Sequence, residues 1–143
     1  MNKVLIPVDG SECALRGVAL VLSKRPLYLN PEDLEIHLVN VQASLSQDVT
    51  RFVSQDQISS FQREESEETM QEACRVLDEA GARYSCHHEV GNVAETITNL
   101  AEALHCDQIV MGTHGRGAFR DFLMGSITMK VVNLSKIPIL LVK

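Results

Sequence analysis

The sequence contains no apolar run near the ~20 residues that a transmembrane helix needs. Its N-terminus also lacks the apolar segment of a signal peptide. We therefore expect a soluble, cytoplasmic protein with no membrane partner. A chain of 143 residues suits one domain, which we expect to span residues 1–143 without an internal repeat or linker.

Closely spaced cysteines are missing as well. No two of the four cysteines form a Cys-x-x-Cys pair, since they stand at Cys13, Cys74, Cys86 and Cys106. Each lies in a segment with helix or strand character or at the junction of two such segments. Free thiols buried in the fold are therefore expected, and neither a disulfide framework nor a metal site is required.

Positive charge is also scarce, because 13 Lys and Arg residues face 19 Asp and Glu residues and give a net charge of -6. Nucleic-acid binders usually carry a basic patch, so we expect no nucleic-acid partner. The charges are unevenly spread. Residues 55–79 hold eight acids and two arginines, whereas residues 109–143 hold five Lys or Arg and one Asp. This asymmetry favours an anionic ligand near the C-terminal part of the chain.

Two common nucleotide-binding motifs are absent. The chain has neither the Gly-x4-Gly-Lys-Ser/Thr pattern of P-loop NTPases nor a Gly-x-Gly-x-x-Gly fingerprint after the first apolar run. Neither a P-loop NTPase nor a typical NAD enzyme is therefore expected.

The segments that are present alternate between strand and helix character. Apolar runs predict strands over residues 4–8, 34–41, 83–90, 109–111 and 138–142. Apolar positions three and four residues apart predict helices over 12–24 and 55–80, the second with Gly81 at its C-cap, and two more after Asn92 and Ser126. Residues 42–54 show no period, and we expect a mobile connection there. Five strands and four helices in alternation predict one doubly wound α/β domain.

The most informative stretch is 111–126, which follows the fourth predicted strand. Gly112, Gly115 and Gly125 provide backbone without Cβ atoms, where a ligand could approach closely. Ser126 begins a helix whose N–H groups would hold phosphate oxygens, and Arg116 could pair with a phosphate. An ordinary strand-to-helix turn needs about two to six residues. A longer loop with spaced glycines therefore indicates a ligand.

Three loops leave the carboxyl ends of predicted strands, at residues 8–11, 41–44 and 112–126. Ligands of open parallel sheets bind beyond these ends, so Asp9 and the backbone at Val41 would line one pocket with the glycine loop. For Asp9, a turn residue that stabilises the first helix and a contact to ribose, base or metal remain equally open. We expect His114 to pack or cap within the loop, with a phosphate contact or a role as an acid as the alternatives. No catalytic residue is assigned.

Cys86, His87, His88 and Glu89 form a run with metal-binding side chains. Successive residues of a strand point to opposite faces of the sheet, so His87 and His88 cannot share one ion in a regular strand. We therefore expect no metal site there.

The motif Gly112-x2-Gly115-x9-Gly125-Ser126 closely resembles the Gly-2x-Gly-9x-Gly-Ser/Thr signature of the universal stress protein family. The resemblance extends to residues 7–11, 37–41 and 138–142 and to Gly91 and Asn92 before the third predicted helix. It implies a Rossmann-like fold, similar to the adenine nucleotide alpha hydrolases, with five parallel strands in the order 3-2-1-4-5. It also implies the branch of the family that binds ATP through the glycine loop and acts in stress response or regulation.

The resemblance further implies which residues surround ATP, with Mg2+ carried by the phosphates and no dedicated protein ligands for it. Adenine and ribose would be surrounded by Pro7, Val8, Asp9 and Val41. The ribose and phosphates would contact Met111, Gly112, Thr113, His114, Gly115, Arg116 and Gly117. The triphosphate would be enclosed by Gly125, Ser126, Ile127 and Thr128.

The family resemblance also implies a homodimer that pairs through the last strand, which agrees with the apolar character of residues 137–142. Binding should exceed turnover, so slow ATP hydrolysis or autophosphorylation at Ser126 is the most catalysis expected. Two alternatives stay open. One is a nucleotide hydrolase or AMP-forming enzyme that uses Asp9 and Ser11, although the Ser-Gly-Gly-x-Asp-Ser loop of such enzymes is missing. The other is an interaction module without nucleotide, in which the acidic helix recruits a protein partner.

Overall fold

The structure is a computed structural model that describes residues 2–27, 30–115 and 124–143. Its strands are Lys3–Pro7 (β1), Glu35–Gln42 (β2), Tyr84–Val90 (β3), Gln108–Gly112 (β4) and Ile139–Val142 (β5). Its α-helices are Glu12–Lys24 (α1), Gln47–Thr50 (α2), Gln55–Glu79 (α3), Val93–Ala103 (α4) and Ser126–Leu134 (α5). Single turns of 3-10 helix occupy Arg25–Leu27 and Pro31–Asp33.

The five strands form one parallel sheet in the order β3-β2-β1-β4-β5, which confirms the predicted fold. From β1 the chain moves outward through β2 to β3, whereas β4 and β5 lie on the other side of β1. The strand order therefore reverses between β1 and β4. Their carboxyl ends are adjacent, and this is where parallel sheets of this type bind ligands.

Helices cover both faces of the sheet, because its inner strands are apolar on both sides. Ile6 and Leu38 pack with α1 and α3 on one face, where Met70 and Leu77 belong to the same buried cluster. The other face, formed around Leu5, packs against α4 and α5. The neighbouring residues Leu5 and Ile6 are both fully buried, and their side chains pack on opposite faces of the sheet. Helices α1 and α5 therefore lie on opposite faces of the sheet.

The connection over residues 42–54 is more regular than expected. It contains the single helical turn α2, and α3 begins where Ser54 and Gln57 form a capping box. A four-residue turn is too short to carry an apolar period, which explains why the sequence pattern does not reveal it.

The two adjacent histidines of β3 bond on opposite faces of the sheet, as the strand alternation predicts. His87 Nε2 lies 2.9 Å from His37 Nδ1, whereas His88 Nδ1 lies 2.7 Å from Ser66 Oγ on α3. Within the described residues, no three His, Cys, Asp or Glu side chains are grouped so as to hold a metal ion. None of the helices described is long and apolar enough to cross a membrane.

The expectation that all four thiols are buried is wrong. Cys106 is buried and Cys13 and Cys74 are half-buried, but Cys86 is exposed. Its strand, β3, is an edge strand, so β3 has a neighbouring strand on one side only. The strand order implied by the family resemblance already places β3 at an edge, but the apolar pattern of the strand does not show that Cys86 is exposed.

Candidate functional site

The candidate site lies at the carboxyl ends of β1 and β4. The chain leaves β4 at Gly112, close to the first turn of α1. A Cβ atom at this position would lie 2.5 Å from the Cβ of Cys13 and 3.0 Å from its carbonyl carbon. Since real Cβ atoms do not approach this closely, only glycine allows β4 and α1 to meet in this way. Gly112 is therefore a packing requirement of the fold.

The loop after β1 contacts the loop after β4 through Asp9. One carboxylate oxygen, Oδ1, accepts the N–H of Ser11 at 3.0 Å, and Ser11 in turn caps α1 at Ala14. The other oxygen, Oδ2, occupies the space that a Cβ atom at Gly115 would fill. Asp9 therefore has the turn role predicted for it, and its carboxylate packs directly against Gly115. Its contact to ribose, base or metal stays a prediction.

Hydrogen bonds join the two ends of the glycine loop. The N–H of Gly125 donates to the carbonyl of Thr113 at 2.7 Å, and the hydroxyl of Thr128 donates to the carbonyl of Gly112 at 3.0 Å. The N–H of Thr113 also donates to Val142 on β5 at 2.9 Å. These bonds hold the start of α5 against the end of β4.

The N-terminus of α5 differs from those of the other long helices. At the starts of α1, α3 and α4, the side chains of Ser11, Ser54 and Asn92 each accept a backbone N–H of the first turn. Helix α5 has Gly125 at its N-cap and no such bond. The first N–H groups of a helix have no partner within the helix and carry the positive end of its dipole. An anion could therefore take the place of the missing cap.

These elements enclose a cleft of about 840 Å3. Twelve of the predicted binding residues line it, namely Pro7, Val8, Asp9, Val41, Met111, Gly112, His114, Gly115, Gly125, Ser126, Ile127 and Thr128. Thr113 is buried behind them, with its Oγ1 3.0 Å from Nδ1 of His114. Arg116 and Gly117 lie outside the described residues.

Several residues that line the cleft were not predicted. Asn40 is almost fully buried; its Nδ2 donates to the carbonyl of Val8 and its Oδ1 accepts from Gln42, both at 2.8 Å. A polar residue inside an apolar strand was the available signal for it. Glu65 and Thr69, one turn apart on α3, also line the cleft. Their positions depend on how α3 packs across the sheet, so no local pattern indicates them.

Comparison with known proteins places this geometry in a family. The sequence model of the universal stress protein family matches residues 1–143. The chain belongs to the universal stress protein family. Universal stress protein MJ0531 of Methanocaldococcus jannaschii is 30% identical over 99% of this chain and 82% of its own length.

Solved structures of this family share the fold. The structure of MJ0577, also from Methanocaldococcus jannaschii, has a TM-score of 0.82 and 29% identity, covering 99% of this chain and 95% of that one. A universal stress protein from Arabidopsis thaliana, solved with AMP bound, has a TM-score of 0.68 and 16% identity over 100% of this chain and 92% of its own. At that identity the likeness establishes the fold alone.

The described lining of this universal stress protein's cleft carries acidic charge, whereas Arg116 and Arg120, which contribute to the positive charge of residues 109–143, lie outside the described residues. Among the described residues that line it, Asp9 and Glu65 are charged and no Lys or Arg is present. Lys136 instead lies 3.4 Å from Glu102 at the outer surface. Attraction for an anion within the described part of the cleft therefore comes from backbone N–H groups, above all those of α5.

Proposed function

We propose that this universal stress protein binds ATP in the cleft and belongs to the ATP-binding branch of the family. The observation that carries the proposal is the uncapped N-terminus of α5, which borders a cleft of about 840 Å3 at the β1–β4 boundary. Backbone donors and a helix dipole suit phosphate oxygens. The volume lies within the range of small-molecule sites, about 300–1,000 Å3.

The distribution of side chains gives the proposed ligand a direction. Phosphates would lie at Gly115, Gly125 and the first residues of α5, where the backbone is accessible. The nucleoside would lie toward Val41 and the carboxylate of Glu65, because ribose hydroxyls and base amino groups can donate to carboxylate oxygens. An Arabidopsis thaliana protein of the same fold binds AMP, which is consistent with an adenine nucleotide. Mg2+ would be carried by the phosphates and is not assigned protein ligands.

The proposed role is a regulatory or stress-responsive nucleotide-binding module with at most slow hydrolysis. The carboxylate of Asp9 accepts the N–H of Ser11 through Oδ1, which holds Asp9 in the turn before α1, and we assign no residue as a general base for water. Incubation with Mg-ATP followed by product analysis should show little ADP or AMP after many minutes. Rapid release of AMP and pyrophosphate would instead show that the protein is a nucleotide hydrolase or AMP-forming enzyme.

Two measurements test nucleotide binding. Mass spectrometry of ligands released from the purified protein should detect ATP or another adenine nucleotide. Calorimetry should show binding of Mg-ATP by the wild type and much weaker binding by Gly125→Val. Equal affinity of the two proteins for Mg-ATP would show that the phosphates do not bind at the N-terminus of α5. If millimolar Mg-ATP does not raise the melting temperature of the folded wild type, the cleft does not bind ATP.

We also propose that the protein is a homodimer that pairs through β5. This strand is at the edge of the sheet and has β4 on one side. Leu140 within it is 38% exposed, and Val132 and Leu134 on neighbouring α5 are 41% and 49% exposed. An apolar edge with free backbone groups favours pairing with a second copy about a two-fold axis.

A further inference from the structure

Two cysteines on different elements lie side by side in a surface groove separate from the cleft. Cys74 is on α3 and Cys86 is on the edge strand β3, and their sulfur atoms are 3.5 Å apart. Both line a groove of about 610 Å3 beside Met70 and His88. Cys86 is exposed and Cys74 is half-buried, so a small oxidant can reach the pair.

We propose that Cys74 and Cys86 are a reversible oxidation site whose disulfide fastens α3 to β3. The bond length of a disulfide is about 2.0 Å, so the sulfur atoms must approach by about 1.5 Å. Rotation about the side-chain bonds of an exposed strand residue can provide part of this movement. The remaining cysteines cannot compete easily, because Cys106 is buried on the opposite layer of the sheet and Cys13 belongs to α1.

The reaction needs an oxidant, and a hydroperoxide supplies it. The Cys86 thiol loses its proton, and the thiolate attacks one oxygen of hydrogen peroxide. The O–O bond breaks, a sulfenic acid forms, and the released hydroxide takes up the proton to give one water molecule. The sulfur of Cys74 then attacks the sulfenic sulfur; the S–S bond forms, the S–O bond breaks and a second water molecule leaves. The two thiols lose two electrons and two protons in total, and the peroxide is reduced to two water molecules.

The surroundings of Cys74 and Cys86 determine how fast the pair should be oxidised. Partial desolvation of the thiol raises the pKa of Cys86 to about 12, and the hydrogen bond with the Cys74 thiol adds to this effect. Little thiolate is present at neutral pH, so the reaction is slow compared with that of dedicated peroxide sensors. The site would therefore respond to prolonged oxidative conditions and not to a brief pulse.

The test uses the full chain and a Cys13→Ser, Cys106→Ser double variant that retains only the proposed pair. After treatment with hydrogen peroxide, the intact mass should fall by two hydrogen atoms, and a reductant should restore it. Tryptic digestion should then join the peptide of residues 64–75 to that of residues 84–116. Because the second peptide also contains Cys106, the double variant shows that the partner is Cys86.

The closed loop of 13 residues should raise the melting temperature by roughly 5–10 °C on oxidation. Cys74→Ser and Cys86→Ser should each abolish both the mass change and the temperature shift. Oxidation that stops at sulfinic acids, or that links two chains through Cys86, would overturn the proposal. A disulfide that forms without any rise in melting temperature would overturn the role of fastening α3 to β3.

Discussion

Replacing Gly125 with alanine should weaken Mg-ATP binding and leave the fold almost unchanged. A Cβ atom at Gly125 would lie 3.4 Å from the carbonyl oxygen of Thr113 and 3.8 Å from the nitrogen of Gly115, which are ordinary contact distances. The backbone there, with φ -68° and ψ 157°, suits any residue. The cost to folding is limited to a poorer N-cap, at most about 1 kcal/mol.

The same substitution at Gly112 should have the opposite effect. Its new Cβ atom would meet Cys13 at 2.5 Å, so the backbone of α1 or β4 would have to move. Overpacking of this kind costs about 1–3 kcal/mol, which lowers the melting temperature by roughly 3–10 °C. Alanine at Gly125 is thus predicted to weaken nucleotide binding, whereas alanine at Gly112 is predicted to lower the melting temperature.

The size of the binding effect follows from the donors that surround position 125. The added methyl group would lie beside the N–H of Gly115 and at the start of α5, where the phosphates are proposed to bind. Loss of one hydrogen bond to a charged group costs about 1.5–3 kcal/mol, so the dissociation constant should rise about 10- to 100-fold. Gly125→Val should weaken binding further.

Thermal melts without nucleotide and calorimetry with Mg-ATP separate the two effects. Gly17→Ala provides a matched control, because its Cβ atom would meet Val110 at 3.7 Å and Ile6 at 3.8 Å, away from the cleft. The control should fold and bind as the wild type does. If folded Gly125→Ala keeps wild-type affinity, the proposed phosphate position is wrong; if Gly112→Ala melts at the wild-type temperature, the packing argument is wrong.

Three further predictions concern stability and assembly. Helices α3 and α4 end in the same backbone motif, with Gly81 at φ 59° in one and His105 at φ 53° in the other. Because glycine adopts this conformation more easily than other residues, His105→Gly should stabilise the protein by up to about 1 kcal/mol in urea unfolding. Gly81→Ala should destabilise it by about 1 kcal/mol in the same measurement. Burial lowers the pKa of both His37 and His87, so the unfolded chain takes up protons first and stability should fall as the pH drops below about 6.5. A double replacement by glutamine should flatten this fall between pH 7.5 and 5.5, and an unchanged slope would contradict it. Leu140→Glu should convert the proposed dimer to a monomer in sedimentation experiments.

Much of the fold was predictable because its elements have strong local patterns. Predicted strands and helices begin and end within a residue or two of those in the structure, as for the first helix over 12–24, found at Glu12–Lys24. The end of α3 shows the limit of such precision. Ala80 is the C-cap, and Gly81 follows it with positive φ, one position later in the motif than expected. The glycine was the correct signal, since this conformation favours a residue without Cβ.

The parts of the site that could not be predicted are those that arise from packing between distant elements. Glu65 and Thr69 belong to an acidic helix whose charges are mostly solvent-exposed, and nothing in its period shows which turn borders the cleft. The proximity of Cys74 and Cys86 has the same origin, because it depends on the register between α3 and β3. Side chains brought together by tertiary packing leave no trace in short sequence windows.

The start of α5 links these observations. Stable helices usually satisfy their first N–H groups, and the described ends of α1, α3 and α4 do so with Ser or Asn side chains. Helix α5 departs from this rule with a glycine, which has no side chain to cap the helix and donates its own N–H to the carbonyl of Thr113. A serine there would cap the helix but would occupy the space of a ligand. This helix end borders the cleft, and its local stability is lower than a side-chain cap would give, which is the pattern expected of a binding site. Bound anion should restore the missing cap, so the melting temperature should depend on nucleotide concentration through α5.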